Sequence, residues 1–236
     1  MQNWRRSFCC MIRWAVSTYG AIFHCCCRKK TGRTVHAYDR AGFGQSSAAS
    51  KRPNLDFIAA ESQTVFAAVA ASLALEHFIV MGHSVGGGMS ACIAADYADQ
   101  CRGLITISAQ SMLEDLTVRG IQEAKQGFAQ PGQLDRLAKY HGDKAQWVLD
   151  AWTETWCDPM FADWDLAEYL ERVYCPNLVL HGELDEYGSS IQAERFAELT
   201  QGPSALYILS GLHHMPHKEN PEWAVNLIAE FLEPLE

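Results

Sequence analysis

The sequence predicts an α/β fold, a mostly parallel sheet flanked by helices with a helical segment inserted. Three observations predict it. From Thr31 onward, strand-like and helix-like segments alternate, as in a parallel sheet whose crossovers are helices. Glycine-punctuated loops follow several of the strands. Between Ser111 and Val173 the alternation stops, leaving a helical, tryptophan-rich stretch too long for a connection.

In chain order, "TVHAYD" is a short strand that runs into the loop "RAGFGQS". Residues Leu55 to Leu75 carry Ala, Phe and Val at helical spacing, and "HFIVMG" is an apolar strand. "GGGMSACIAADYA" follows as a helix and "GLITISA" as a strand. The insertion, residues 111–173, holds Trp147, Trp152, Trp156 and Trp164 and reads as a cap. After it come strand "NLVLHG", helix "SIQAERFAELT", strand "ALYILS" and an amphipathic helix "PEWAVNLIAEFL" that starts at a proline.

A chain of 236 residues with 48% hydrophobic content can bury one sizeable core, so residues 31–236 are expected to form one domain carrying the insertion. The formal net charge is −9, but it is unevenly placed. Residues 1–40 hold eight Lys/Arg against Asp39 alone; of the 19 basic and 28 acidic side chains, 11 and 27 remain for the rest. An acidic body disfavours nucleic acid, which binds a basic face. Five of the nine cysteines (Cys9, Cys10, Cys25, Cys26, Cys27) crowd the first segment, while Cys92, Cys101, Cys157 and Cys175 stand singly. The single ones read as small core residues in a reducing compartment, so a cytoplasmic location is expected. Adjacent cysteines diverge and suit a tetrahedral metal poorly. Arg13 interrupts the early apolar stretch before it reaches the ~20 residues of a spanning helix. No motif implies a metal or cofactor, and the expected partner is a small-molecule substrate rather than a membrane or nucleic acid.

The strongest local signal is "GHSVG", a G-x-S-x-G pattern at residues 82–86 where an apolar strand meets a helix. A turn that tight needs glycines around the serine, whose hydroxyl it exposes above the sheet. Ser84 is therefore the candidate nucleophile, against the plainer reading of a chance glycine-serine turn. A serine hydroxyl needs a positioned base, and the base a positioned acid. "GELDEYG" places Asp185 just past one strand, and "SGLHHMPHKENP" places His213 and His214 past the next. Loops after strand C-termini converge in an open parallel sheet. His214, two residues before Pro216, is favoured over His213, and Glu186 is the fallback acid. His83, His181 and His217 are expected to be turn or surface residues. The Val85 N–H is the expected oxyanion donor.

Four motifs in order, "VHAYDRAGFGQS", "GHSVGG", "GELDEYG" and "HHMPHKENP", make the chain resemble the α/β-hydrolase superfamily from about Thr31 on. The cap sequence resembles bacterial α/β hydrolases related to ring-cleavage-product C–C hydrolases and carboxylic ester hydrolases. The likeness implies a serine hydrolase acting on a small carboxylic ester or on the C–C bond of a diketone-like acid. Dehalogenase and epoxide-hydrolase relatives use an aspartate at the elbow, and Ser84 is not one. The alternative is a non-catalytic or impaired member lacking a complete oxyanion site.

That alternative arises from residues 1–30, where the superfamily's third strand and second oxyanion loop belong and where the basic, cysteine-rich segment shows no usable period. Shifting the reading frame by one base turns the first bases of codons into middle bases, so Cys, Phe, Tyr and Trp become apolar residues. "SFCCMIRWAVS" can then read "IVLLHDTLGSV", and an adenine run encoding Lys29-Lys30 is a plausible place for one extra base. The segment is expected to be an out-of-frame translation, the third strand to be missing or garbled, and the literal chain to fold poorly. Resequencing several isolates decides it: a confirmed printed frame removes the idea.

Overall fold

The computed structural model describes residues 7–11 and 21–235. Among the described residues six strands, β1 (Ser7–Met11), β2 (Thr34–Ala37), β3 (Phe78–His83), β4 (Cys101–Ile107), β5 (Asn177–Gly182) and β6 (Ser204–Leu209), form one sheet in the order β2-β1-β3-β4-β5-β6. Every neighbouring pair is parallel. The helices are α1 (Ala21–Thr31), α2 (Phe57–Gln63), α3 (Val65–Ser72), α4 (Val85–Asp96), α5 (Asp115–Phe128), α6 (Asp135–His141), α7 (Ala145–Trp156), α8 (Ala167–Leu170), α9 (Ser190–Leu199), α10 (Pro216–Glu219) and α11 (Pro221–Leu232).

The sheet has an apolar layer on each face because side chains alternate along a strand. In β3, Phe78 and Val80 join a cluster with Ile58, Phe66, Met89 and Phe196 from α2, α3, α4 and α9. Ile79 and Met81 point the other way, onto Phe23 and Cys27 of α1 and Val225 and Ile228 of α11. From β1 the chain moves outward to β2, then crosses back to β3 on the opposite side of β1. Such a reversal of strand order opens a crevice beyond the strand C-termini, and Ser84 follows the end of β3.

The position between β2 and β3, expected to be missing or garbled, is occupied. Residues 7–11 pair there in parallel, with Ser7 opposite Thr34 and Cys9 opposite Val80. The physical reason is that "SFCCM" is an apolar run in the printed frame too, since cysteine behaves as a small hydrophobe. The basic segment after it also finds a period once folded: Phe23 and Cys27, four apart on α1, are buried, while Cys25 is exposed. The oxyanion loop expected near residues 12–20 lies outside the described residues. The helical spacing over 55–75 resolves into two helices that meet at Thr64, where φ −110°, ψ −90° leaves the helical range and both the Thr64 N–H (3.1 Å) and hydroxyl (2.6 Å) donate to the Ala60 carbonyl.

Between β4 and β5 lie α5 to α8. The two ends of this helical run are tied together: Met112 bridges Asp165, the Leu113 N–H donates to Trp164 O at 3.1 Å, and the Leu166 N–H donates to Ser111 O at 2.8 Å.

Candidate active site

Ser84 sits between β3 and α4 at φ 56°, ψ −130°, a region that L side chains rarely occupy and that persists only where surroundings over-determine it. The surroundings are backbone. The Ser84 N–H donates to Ile107 O at 2.9 Å, and Ser84 O accepts from Gly87 N at 2.8 Å. Position 82 must lack a side chain, because a Cβ there would stand 2.0 Å from Gly86 O. Val85 opens α4, so its N–H belongs to the first turn, whose amides have no intrahelical acceptor. The Ser84 hydroxyl is buried and donates to Gln110 Oε1 at 3.3 Å.

Asp185 lies past β5 and His214 past β6, and the two side chains meet with 1% and 2% exposure. His214 Nδ1 stands 2.8 Å from Asp185 Oδ1 and 2.9 Å from Oδ2. A carboxylate only accepts, so Nδ1 carries the hydrogen and Nε2 is left as the basic nitrogen. The Tyr187 N–H also donates to Asp185 Oδ1, at 2.8 Å. The His214 N–H donates to Glu186 Oε2 at 3.2 Å. Position 182 again needs glycine, because a Cβ there would meet His213 O at 2.2 Å. His213 itself points outward, its side chain 58% exposed and paired with Glu219 at 3.1 Å.

His83 joins the serine turn to the histidine loop. Its Nε2 donates to His214 O at 2.7 Å, and its ring centroid lies 4.8 Å from that of His214 and 4.7 Å from that of His217. His83, His181 and His217 were expected in turns or on the surface; all three are buried. His83 and His181 lie at strand ends bonded by the loops that carry His214 and Gly188, and His217 of α10 packs against Phe23 of α1, ring centroids 5.2 Å apart. His181 Nε2 donates to Gly188 O at 3.0 Å, and burial pushes the His217 pKa down to about 3.

Ser84, Val85 and Gln110 line a cleft with about 540 Å³ of empty space, part of it open to solvent. Phe43, Phe57, Trp152, Trp156 and Tyr187 wall it, and Arg40 reaches it from the "RAGFGQS" loop. The Tyr187 ring centroid is 4.8 Å from that of His214, so the cleft and the Asp185–His214 pair share one wall. That loop is anchored from the helical run: the Gly44 N–H donates to His141 Nδ1 at 3.0 Å, and Lys144 Nζ donates to Gly44 O at 2.7 Å. Burial lowers the His141 pKa to about 4, which keeps Nδ1 an acceptor. Gln110 and Arg40 escaped sequence reasoning. Their signal was position alone: both follow strand C-termini at the edge where loops converge.

Comparison with known proteins adds the following. The family model described as the alpha/beta hydrolase fold matches residues 19–155. A non-heme haloperoxidase of Rhodococcus erythropolis is 26% identical over 215 residues, which cover 78% of this chain and 76% of that protein. A serine hydrolase from the polyaromatic-hydrocarbon-degrading bacterium Cycloclasticus zankles superposes with a TM-score of 0.79 at 14% identity, covering 96% of this chain and 89% of that one. A meta-cleavage product hydrolase from Pseudomonas fluorescens gives 0.73 at 16% identity, covering 98% and 92%. An esterase from Thermogutta terrifontis gives 0.70 at 18% identity, covering 97% and 90%.

Proposed function

The chain belongs to the α/β hydrolase fold family, and on that premise we propose that it is a serine hydrolase using Ser84, His214 and Asp185 on a small carboxylic ester or the C–C bond of a diketone-like acid. The observation that carries this reading is the buried Asp185–His214 pair, linked through His83 to a strained serine turn. In the resting state the Ser84 hydroxyl faces Gln110. Turning it toward His214 Nε2 lets the imidazole take the proton as Oγ attacks the substrate carbonyl, and catalytic hydrogen bonds commonly tighten only with substrate present. Asp185 holds the ring and stabilises the imidazolium. The Val85 N–H, reinforced by the positive end of α4, stabilises the tetrahedral oxyanion. Collapse releases the alcohol or the carbon leaving group protonated by His214, and water, deprotonated by the same nitrogen, frees the acid. Residues 111–173 act as a cap whose Trp152 and Trp156 exclude water from the acyl side of the cleft.

A fluorophosphonate probe tests the reading. Labelling of the folded chain that disappears in Ser84→Ala supports it. A folded, soluble protein that takes no label points instead to a member whose oxyanion site is incomplete.

A further inference from the structure

We propose that Arg40 recognises a free carboxylate on the acyl half of the substrate, so that the cleft takes monoesters of dicarboxylic acids ahead of neutral esters. This rests on the serine-hydrolase reading of Ser84 and specifies its substrate. Of the described residues lining the cleft, Arg40 alone is charged; the rest are aromatic, aliphatic or neutral polar groups. A guanidinium facing such walls is costly to desolvate unless a partner compensates it. Phe43 supplies part of the compensation, its ring centroid 4.4 Å from the guanidinium carbon.

Among the described residues no carboxylate lies within ion-pair distance of the guanidinium, and no acceptor hydrogen-bonds it. Glu61 attracts it from farther away. That carboxylate already accepts the Tyr38 hydroxyl at 2.9 Å, and burial raises its pKa. The donors of Arg40 are therefore available to an incoming anion, and their planar fork matches a carboxylate with two parallel bonds. The loop that carries Arg40 is pinned by His141 and Lys144, so the cation is positioned before substrate arrives. Chemically the step is an ordinary ester hydrolysis. The bond from the acyl carbon to the alcohol oxygen breaks, that oxygen leaves with a proton from His214, and water supplies the oxygen of the second carboxylate.

The test compares p-nitrophenyl hemiglutarate with p-nitrophenyl pentanoate, which differ mainly in the free carboxylate. Wild type is expected to favour the charged ester by kcat/KM about 10- to 100-fold, as for a hydrogen bond to a charged group. Arg40→Gln should collapse that ratio toward one, and Arg40→Lys should recover part of it, chiefly through KM. A wild type without the preference, or an Arg40→Gln variant that keeps it, overturns the proposal. Binding of glutarate by calorimetry gives a readout independent of catalysis: it should weaken at least about tenfold in folded Arg40→Gln. Unchanged glutarate affinity sinks the inference even if Ser84 is active. Failure of fluorophosphonate labelling with Arg40-dependent glutarate binding intact sinks only the serine-hydrolase reading.

Discussion

Four side chains at the site invite single substitutions, three expected to slow the reaction and one to speed labelling. On the proposed triad, Ser84→Ala and His214→Ala should each lower kcat at least ~10⁴-fold with little change in thermal stability, because nucleophile and base act as a unit. Asp185→Asn should lose about 10⁴-fold as well, because an amide would stabilise the other imidazole tautomer. Gln110 has the opposite expectation. Its Oε1 holds the Ser84 hydroxyl at 3.3 Å in the resting state, so Gln110→Ala should raise the rate of fluorophosphonate labelling a few-fold. Stopped labelling followed by mass spectrometry measures it, and an unchanged or slower rate would show that the contact does not restrain the nucleophile. His214 and Ser84 were singled out in the chain as candidate base and nucleophile. Gln110 was not, because only tertiary packing places β4's exit beside β3's exit.

Among elements, the joint between the sheet and the helical run α5 to α8 depends on one residue of α9. Gln192, fully buried, accepts from the Ser111 N–H at 2.7 Å, the Ser111 hydroxyl at 3.0 Å and the Met112 N–H at 3.2 Å. Its Nε2 donates to Met112 O at 3.2 Å and Glu114 Oε2 at 2.6 Å. Arg195 adds two bonds of 2.6 Å to Asp165 on the other end of the run. Removing one partner leaves several buried groups unsatisfied, so Gln192→Ala should cost roughly 2–4 kcal/mol in denaturant unfolding. It should also raise KM, since Trp152 and Trp156 ride on that joint. A loss below about 0.5 kcal/mol would mean the Arg195–Asp165 pair holds it alone. An insertion over 111–173 was expected from broken alternation. The clamp was not, since nothing in the local pattern of "SIQAERFAELT" marks Gln192 as inward.

Stability of the whole molecule should depend on pH through its buried histidines. His217 is lowered to about 3 and His24 and His141 to about 4, each first by burial. A base with a depressed folded pKa stays neutral in the native state while the unfolded chain takes up protons below ~6.5. The unfolded form then binds more protons, so stability is intact above ~6.5 and falls as pH drops from there toward 3 to 4. His217 by itself should contribute a loss on the order of 3 kcal/mol by pH 4. Urea midpoints at pH 7 and pH 4.5 measure the slope, which should be shallower in His217→Gln. An equal slope in the two proteins would assign the acid sensitivity elsewhere.

What the sequence determined by itself was local or periodic. Alternation of apolar residues specified strands and helices, and glycines at 82 and 86 specified a turn around Ser84, because sterics within a few residues decide both. Strand exits also ordered Asp185 and His214 along the chain. Tertiary structure decided what depends on contacts across tens of residues. It brought the favoured His214 to within 2.8 Å of Asp185, buried three histidines read as turn or surface groups, and filled the slot beside β3 with residues 7–11. It also brought Arg40 and Gln110 to one cleft, because partners distant in sequence meet only after the sheet has ordered its strands.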